Sequence, residues 1–289
     1  MPVATELRRL AAFTLDPAGG NPAGVWIGAD LPDPAEMQRI AAEVGYSETA
    51  FLAPDGTGRP GAYRVRYFSP TAEVPFCGHA TIASGVALAE RTGPGRLLLA
   101  TSGGLVTVDT ERAPDGHLRA TLASVRPRVR DAEPDLLAGA LAALGWASGE
   151  LDPALPPAVG YAGASHLILA VASYETLRSL AYDFDRLRST MLAAGLTTVQ
   201  LVWREAPDRF RARDPFPVGG VVEDPATGAA AAALGAYLRW RGELAPPARF
   251  TVIQGVEMGR PSLIEVEVPD ADGGIRVTGT AVSLDPEAG

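Results

Sequence analysis

Two segments of the chain share one pattern, in which a polar, turn-forming stretch with a glycine leads directly into small, helix-favouring residues. They are residues 75–85 and residues 223–233. The start of a helix has unpaired N–H groups and a partial positive charge, and a glycine lets a ligand approach the backbone closely. Two such helix starts facing each other would hold a small anion, most simply a carboxylate. Because one segment lies in each half of the chain, the pattern predicts a duplicated, two-lobed protein with a ligand site between the lobes.

Length, composition and charge narrow the class of protein. The 289 residues suit two domains, and 47% hydrophobic with 20% charged residues indicates a globular chain. A net charge of −9 argues against nucleic acid or anionic membranes as main partners. Cys77 is the only cysteine, so no intrachain disulfide can form. With no apolar stretch near the roughly 20 residues of a membrane span, we expect a cytoplasmic protein.

The predicted elements follow the same order in both halves. Strands come first, then the glycine-led turn, a helix that is apolar nearly all round, and more strands. The two helices are predicted at residues 79–91 and 227–241, and residues 125–130 read as a crossover. The sequence therefore predicts an α+β fold of two pseudo-symmetric lobes, each a β-barrel-like sheet around a central helix. The lobes are assigned to residues 1–127 and 128–289, and a return of the last strand to the N-terminal lobe stays open.

Two local signals near the N-terminus complete the prediction. Asp33 before Pro34 is typical of a helix start, and Gly45 ends the apolar helical spacing that follows. Residues 16–22 are rich in glycine and proline and predict a turn before a short strand at residues 25–27.

Six motifs follow one another along the chain, at residues 20–25, 47–51, 68–73, 77–81, 223–228 and 254–262. In this order they resemble the family of PhzF-like phenazine-biosynthesis proteins, which share the two-lobed diaminopimelate-epimerase fold. The resemblance covers nearly the whole chain. It implies an active site in the cleft between the lobes, a homodimer, no metal and no organic cofactor.

The resemblance implies three catalytic residues. Glu48 would be the acid/base that removes and returns a proton on carbon; the alternative is a solvated glutamate at the start of a strand. His79 would polarise the substrate or share a proton relay with Asp224; the alternative is a histidine that caps its helix. Asp224 matches the other cleft carboxylate of the family, and its alternative is the N-cap of the second helix.

The same resemblance implies a set of substrate-binding residues. Backbone N–H groups of Gly78, His79, Gly228 and Ala229 would bind a substrate carboxylate. Many relatives carry serine where this chain has Ala229, so one side-chain hydrogen bond to a ligand is expected to be missing, and the phenazine-pathway substrate itself is less expected. Asn21 would add a side-chain donor; the alternative is a turn residue.

Cys77 completes the predicted binding residues. In related cofactor-independent racemases and epimerases two cysteines face each other across the substrate, and Cys77 occupies the first of these places. The second place falls near Pro225, which has no acid–base side chain, so a two-thiol epimerase is excluded. The alternative for Cys77 is a small buried residue beside the cleft. His166 is expected in the core and His117 in an exposed hairpin loop, and the spacing of these residues indicates no metal site.

The sequence thus favours a cofactor-independent isomerase that moves a proton on a small carboxylate-bearing substrate, with Glu48 as the acid/base. Two alternatives remain at this point. One is a small-molecule-binding or scaffold protein that keeps the fold without catalysis, and the other is a one-base racemase or epimerase. Convergence of the Glu48, His79 and Asp224 side chains on one pocket favours the isomerase over the binding protein, and a Glu48 that points to bulk solvent far from His79 excludes it. The racemase needs a second proton donor, which the sequence does not identify.

Overall fold

The computed structural model of the protein describes residues 5–270 and 273–285. The chain separates into two compact units. The first contains the chain up to Ala123 together with the chain from Thr278 onward, and the second is Ser124–Val277.

The first unit is a sheet that surrounds one helix. Its strands pair in the order β1–β2 antiparallel, β2–β3 parallel, β3–β4 antiparallel, β4–β6 parallel, and β6–β7 and β7–β8 antiparallel. Helix α2 contacts five of these strands, β1, β2, β3, β7 and β8. The elements are β1 (Glu6–Ala12), β2 (Asn21–Ile27), α1 (Pro34–Val44), β3 (Glu48–Pro54), β4 (Ala62–Phe68), β5 (Glu73–Val74), α2 (Gly78–Thr92), β6 (Arg96–Thr101), β7 (Gly104–Arg112) and β8 (Leu118–Ala123).

The second unit is built in the same way around helix α6, which contacts β9, β10, β11 and β15. Its elements are β9 (Arg128–Asp131), α3 (Pro134–Leu144), β10 (Ala158–Tyr161), β11 (Ser165–Ala170), α4 (Tyr174–Arg178), α5 (Phe184–Ala194), β12 (Thr198–Ala206), β13 (Arg209–Arg213), α6 (Gly228–Arg241), β14 (Ala248–Gln254) and β15 (Ser262–Val268). Strand β16 (Arg276–Gly279) contains the boundary between the units, which falls between Val277 and Thr278. The last strand, β17 (Ala281–Ser283), pairs with β1 and belongs to the first unit.

The two units repeat one topology. Strands β10 to β15 pair in the order antiparallel, parallel, antiparallel, parallel, antiparallel, which is the order of β1, β2, β3, β4, β6 and β7. An additional antiparallel strand flanks each set, β17 beside β1 and β9 beside β10. The central helix enters at the equivalent point of each unit, after β4 and β5 in one and after β13 in the other. The predicted α+β fold of two pseudo-symmetric lobes, each a sheet around a central helix, is confirmed.

Both central helices are buried nearly all round, as their composition predicts. Gly85 and Gly235 are each the eighth residue of their helix, and each lies against the sheet. A Cβ atom at Gly85 would lie 2.9 Å from Cβ of Ala120, and one at Gly235 would lie 3.0 Å from Cγ2 of Ile275. The strands can therefore approach the helix axis closely at this level, because no side chain intervenes.

Helix α1 begins and ends as the sequence predicts. The side chain of Asp33 accepts a hydrogen bond from the N–H of Glu36, with Pro34 in the first turn. Gly45 ends the helix in the left-handed conformation, with φ of 72°. No described helix is long and apolar enough to cross a membrane.

One local prediction is wrong and another is incomplete. Asn21 opens strand β2 opposite Ala12, so it is not a turn residue, because pairing with β1 carries the strand into the glycine- and proline-rich stretch. Residues 125–130 were predicted to lead into the second lobe, and the second unit does begin at Ser124. Within this stretch residues 128–131 form strand β9, which the local pattern did not indicate. Only one apolar residue, Val129, lies in β9, and it pairs with Gly160 of β10.

Candidate functional site

Glu48 lies at the first position of β3, beside Ala23 of β2. The strand beyond it is buried from Thr49 to Ala53, and the Glu48 side chain keeps 17% of its surface exposed. The carboxylate is therefore largely withdrawn from water but remains accessible, which does not fit the alternative of a freely solvated glutamate.

Cys77 and His79 face this carboxylate from the start of α2. The N-cap position belongs to Cys77, whose side chain makes no capping bond, and His79 is the second residue of the helix. The thiol of Cys77 donates to Oε2 of Glu48 at 3.4 Å, and Nε2 of His79 lies 3.5 Å from the same oxygen. Cys77 and His79 are only 8% and 7% exposed. The side chains of Glu48 and His79 therefore lie next to each other.

Asn21 determines which nitrogen of His79 carries the proton. Its side chain is 2% exposed, and Nδ2 donates to Nδ1 of His79 at 3.2 Å. Because an amide nitrogen can only donate, Nδ1 accepts, and the neutral ring carries its proton on Nε2. That nitrogen lies 3.4 Å from Oγ of Ser47 and faces Glu48. Asn21 thus aims an N–H group of the ring at the carboxylate.

The start of α2 offers further donors beside the carboxylate. The first-turn N–H groups of Gly78 and His79 have no hydrogen-bond partner among the described residues, as is usual at a helix N-terminus. A Cβ atom at Gly78 would meet no atom within 4 Å, so the space in front of this backbone is open. A small anion could approach these groups directly.

Three side chains of kinds that can bind a metal ion also lie close together beside the start of α2. One ligand atom each from Glu48, Cys77 and His79 lies within 4.8 Å of the other two. The sequence spacing did not indicate this cluster, because Glu48 is far from the other two along the chain and reaches them only through the packing of β3 against α2.

In the second unit, Asp224 precedes helix α6 and is held by its neighbours. The Thr227 hydroxyl donates to Oδ2 of Asp224 at 2.6 Å, and Nε2 of Gln254 donates to the Asp224 carbonyl oxygen at 2.7 Å. The N-cap position of α6 is Thr227, so the interpretation of Asp224 as the N-cap is wrong. The first helical residues, Gly228 and Ala229, have first-turn N–H groups without a partner among the described residues.

A series of hydrogen bonds connects Asp224 to buried polar residues. The Asp224 N–H donates to the carbonyl oxygen of Asp214 at 3.0 Å. Oδ1 of Asp214 accepts from the Thr198 hydroxyl at 2.5 Å, and Thr198 in turn accepts from Nδ1 of His166 at 2.8 Å. His166 is fully buried, as predicted, and its Nε2 has no hydrogen-bond partner among the described residues.

Burial shifts the pKa values of two residues in this hydrogen-bonded series, Asp214 and His166. It raises the pKa of the Asp214 carboxyl well above its usual range, and the nearby carboxylates of Asp224 and Glu223 act in the same direction. Burial also lowers the pKa of the His166 ring to about 3. Burial therefore favours the neutral form of both side chains.

Gln254 and Asp214 are the positioning residues that sequence reasoning missed. Gly255 adopts a left-handed conformation in the turn that follows β14. A Cβ atom at Gly255 would lie 2.7 Å from the carbonyl oxygen of Pro225, so this turn packs directly against the Asp224 segment. The available signal was a polar residue, Gln254, at the end of a strand whose other buried residues are apolar, β14.

The chain is similar to known proteins over nearly its whole length. The family described as phenazine biosynthesis-like protein matches residues 10–285. A trans-2,3-dihydro-3-hydroxyanthranilate isomerase of Pseudomonas fluorescens is 34% identical over 257 residues, which are 88% of this chain and 86% of that protein. An uncharacterized isomerase of Bacillus subtilis, YfhB, is 32% identical over 286 residues, 96% of each chain. A crystal structure of a PhzF-family phenazine biosynthesis protein of Bacillus anthracis superposes with a TM-score of 0.86 at 26% identity, covering 99% of this chain and 98% of that one.

Proposed function

This chain belongs to the family of phenazine biosynthesis-like proteins and is an isomerase of that family, and we propose that it moves a proton on a small carboxylate-bearing substrate by acid–base catalysis at Glu48. The observation that carries the proposal is the position of the Glu48 carboxylate. It is mostly buried, still accessible, and 3.5 Å from a histidine nitrogen. A carboxylate in this setting can take a proton from carbon and return it at another position.

His79 assists by donating a hydrogen bond. The Asn21 contact keeps the Nε2 proton on the side of Glu48, so the ring can donate to the carboxylate or to a substrate oxygen beside it. A neutral donor aimed at an oxygen that gains negative charge stabilises an enolate-like intermediate. This role needs a fixed ring and a fixed tautomer, which the 2% exposed Asn21 supplies.

The start of α2 would bind the substrate carboxylate. The N–H groups of Gly78 and His79 are unpaired among the described residues, and the space before Gly78 is open. Binding there would place a substrate next to Glu48 and Cys77, and the partial positive charge of the helix start would favour an anion.

Asp224 is proposed as the second acid–base group, with Gly228 and Ala229 as backbone donors. Support comes from the hydrogen bonds that fix Asp224 through Thr227 and Gln254. Ala229 offers no hydroxyl, so we expect the substrate to differ from trans-2,3-dihydro-3-hydroxyanthranilate, on which the Pseudomonas relative acts by its name. We also propose that the protein is a homodimer in the cytoplasm. The mass of the purified protein in solution tests the dimer.

The proposal is tested by proton exchange in heavy water. The purified protein is incubated in D₂O with a metabolite extract and, as a defined probe, with trans-2,3-dihydro-3-hydroxyanthranilate, and products are analysed by mass spectrometry. We expect one solvent deuteron in one isomerised compound. Glu48→Gln should abolish this incorporation while the compound still binds. Glu43→Gln, an exposed glutamate of α1, is the matched control and should exchange like the unaltered protein. Full exchange by Glu48→Gln would refute the role of Glu48.

A further inference from the structure

We propose that Asp214 holds a proton and passes it to Asp224 through the hydroxyl of Thr227. All three residues lie in the second unit. Asp214 and Thr227 act through Asp224 and do not touch the substrate, so they are positioning residues. The proton transfer rests on the contacts among these three residues. Its use in catalysis rests in addition on the proposed function, in which Asp224 is the second acid–base group.

The two carboxyl groups lie opposite each other. An isolated antiparallel bridge pairs Pro215 with Glu223. Asp214 and Asp224 occupy the next pair of positions, where the Asp224 N–H donates to the Asp214 carbonyl oxygen at 3.0 Å. Side chains at opposite positions of antiparallel strands project to the same side, with Cβ atoms about 4.5–5.5 Å apart. Two like charges at such positions destabilise the fold, so a pair that holds one proton is favoured over two carboxylates.

The Thr227 hydroxyl connects the two carboxyl groups. It donates its single proton to Oδ2 of Asp224 at 2.6 Å and accepts from Nε2 of Gln254 at 3.0 Å. The same hydroxyl acts on the Asp214 carboxyl as well. Because a hydroxyl oxygen has two lone pairs, it can accept one more hydrogen bond. Thr227 can therefore take a proton from Asp214 and give its own proton to Asp224.

The surroundings of Asp214 suit a carboxyl that keeps its proton. The side chain is fully buried, and Oδ2 has no hydrogen-bond partner among the described residues. A protonated Oδ2 is a donor, and the remaining lone pair of Thr227 gives it an acceptor. Burial also raises the pKa of the Asp214 carboxyl well above its usual range.

Other neighbours of Asp214 favour one or the other state of the transfer. The negative charge of Glu223 favours a proton on Asp214, and Glu223 itself is paired with the buried guanidinium of Arg213, whose Nε donates to Oε2 at 3.0 Å. On the other side, the Thr198 hydroxyl donates to Oδ1 of Asp214 at 2.5 Å and connects it to His166, whose pKa is lowered to about 3. The Thr198 donor stabilises the Asp214 carboxylate once the proton has moved.

The transfer moves one proton equivalent and one negative charge. The O–H bond of Asp214 breaks as its proton bonds to Oγ1 of Thr227, and the original hydroxyl proton of Thr227 bonds to Oδ2 of Asp224. Asp224 changes from carboxylate to acid and Asp214 from acid to carboxylate, so the total charge of the pair is unchanged.

The proposed reaction uses this proton without consuming it. Asp224 gives it to a substrate atom that gains negative charge when Glu48 removes the proton from carbon. When Glu48 returns its proton, Asp224 takes its own proton back and the reverse transfer restores Asp214. Asp224 can thus act as an acid although it is a carboxylate in the resting protein.

Infrared spectroscopy measures the held proton without substrate. The difference spectrum between the unaltered protein and Asp214→Asn near neutral pH should contain the C=O stretch of a protonated carboxyl. Thr227→Val removes the acceptor, so the band should remain and move to higher frequency, while Thr227→Ser keeps the hydroxyl and should leave the band in place. Asp208→Asn, which changes an exposed carboxyl, is the matched control and should retain the band. Absence of the band from the unaltered protein, or an unchanged band in Asp214→Asn, would overturn the proposal.

Deuterium exchange into the isomerised compound of the metabolite extract measures the use of the proton. Asp214→Asn and Thr227→Val should each lower kcat at least about tenfold with little change in KM, and Thr227→Ser should recover most of the loss. Full exchange by Asp214→Asn overturns the transfer even where the infrared band is present. Full exchange by Asp224→Asn refutes the proposed acid–base role of Asp224 instead, so the two proposals can fail separately.

Discussion

Gln254 donates a hydrogen bond from Nε2 to the carbonyl oxygen of Asp224 at 2.7 Å, across 30 positions of the chain. The same amide accepts from the N–H of Thr227 at 3.2 Å through Oε1. One fully buried side chain therefore holds both ends of the segment that joins Asp224 to helix α6.

Replacement of Gln254 by alanine should lower both activity and stability. The change removes one partner from the Asp224 carbonyl and one from the Thr227 N–H, both partly buried, and each such hydrogen bond contributes about 0.5–1.5 kcal/mol to stability. We expect kcat/KM for the isomerisation to fall at least about tenfold, since a displaced catalytic group costs up to about 10²-fold. Gln38→Ala, which removes a single bond to the Ser69 carbonyl, is the control and should leave kcat/KM unchanged. Unaltered activity in Gln254→Ala would contradict a positioning role.

Gly85→Ala should destabilise the first unit. The new methyl group would meet Cβ of Ala120 at 2.9 Å, and that atom cannot move without its strand. Overpacking of this kind costs about 1–3 kcal/mol, which exceeds the gain of up to about 1 kcal/mol in helix propensity. Urea unfolding should therefore show a net loss, with a smaller loss for Gly235→Ala, whose nearest contact is the side-chain carbon Cγ2 of Ile275 at 3.0 Å.

The control for this pair is Gly95→Ala, because a Cβ atom there would meet nothing within 4 Å. It should unfold at the same urea concentration as the unaltered protein or slightly higher. A Gly85→Ala protein of unchanged stability would show that the sheet can withdraw from the helix at this level.

Local patterns predicted the parts of the fold that local forces determine. The two buried helices follow from uninterrupted small and apolar residues, and α1 follows from Asp33, Pro34 and Gly45, each of which acts within a few residues. Strand β9 could not be predicted in the same way. It has one apolar residue and is stabilised by contacts with β10 and α6, which both lie later in the chain.

In the candidate site, too, some features could be predicted from the sequence and others depend on contacts between distant parts of the chain. Glu48, Cys77 and His79 could be selected because their motifs resemble those of a known family; the local pattern alone left a solvated glutamate, a small buried cysteine and a helix-capping histidine as alternatives. Their mutual distances depend on the packing of β3 against α2, which no spacing encodes. Asp214 acts through contacts with Thr198 and Asp224 that exist only in the folded chain, so its role could not be predicted.

Asp214 should make stability depend on pH. Burial raises its pKa in the folded state above the value of 3.8 expected in the unfolded chain. Between these two pKa values the folded protein holds a proton that the unfolded chain has lost, so the free energy of unfolding falls as the pH rises. The fall approaches about 1.4 kcal/mol per pH unit within that window. Asp214→Asn keeps the acceptor for Thr198 and removes the titration, so its stability relative to the unaltered protein should increase as the pH rises from about 4.

Urea unfolding of both proteins over a series of pH values measures this difference. The groups that act on the carboxyl are the carboxylates of Asp224 and Glu223 and the hydroxyls of Thr198 and Thr227, and Asp214→Asn leaves all four in place. Asp208→Asn changes an exposed carboxyl and serves as the matched control. A stability difference between Asp214→Asn and the unaltered protein that is constant with pH would show that the folded protein does not retain this proton.

The tautomer of His79 can be read by nuclear magnetic resonance, since the chain has three histidines. In protein with ¹⁵N-labelled histidine, we expect the neutral form of the His79 ring to carry its proton on Nε2, because Asn21 donates to Nδ1. His166 provides an internal reference of the opposite kind: its Nδ1 donates to Thr198, and it should remain neutral as the pH is lowered towards its pKa of about 3. Asn21→Asp replaces the donor by an acceptor, so the proton of His79 should move to Nδ1.

The catalytic activity of Asn21→Asp should fall because the proton of His79 is then on Nδ1. Nε2 then loses the proton that faces Glu48, and general acid–base assistance of this type contributes about 10²–10⁴-fold to a rate. We expect most of the loss in kcat, since the helix start that would bind the substrate is unchanged. Asn21→Ala removes the donor without adding an acceptor and should give a mixture of tautomers with intermediate activity. A reversed tautomer with full activity would show that His79 takes no part in moving the proton.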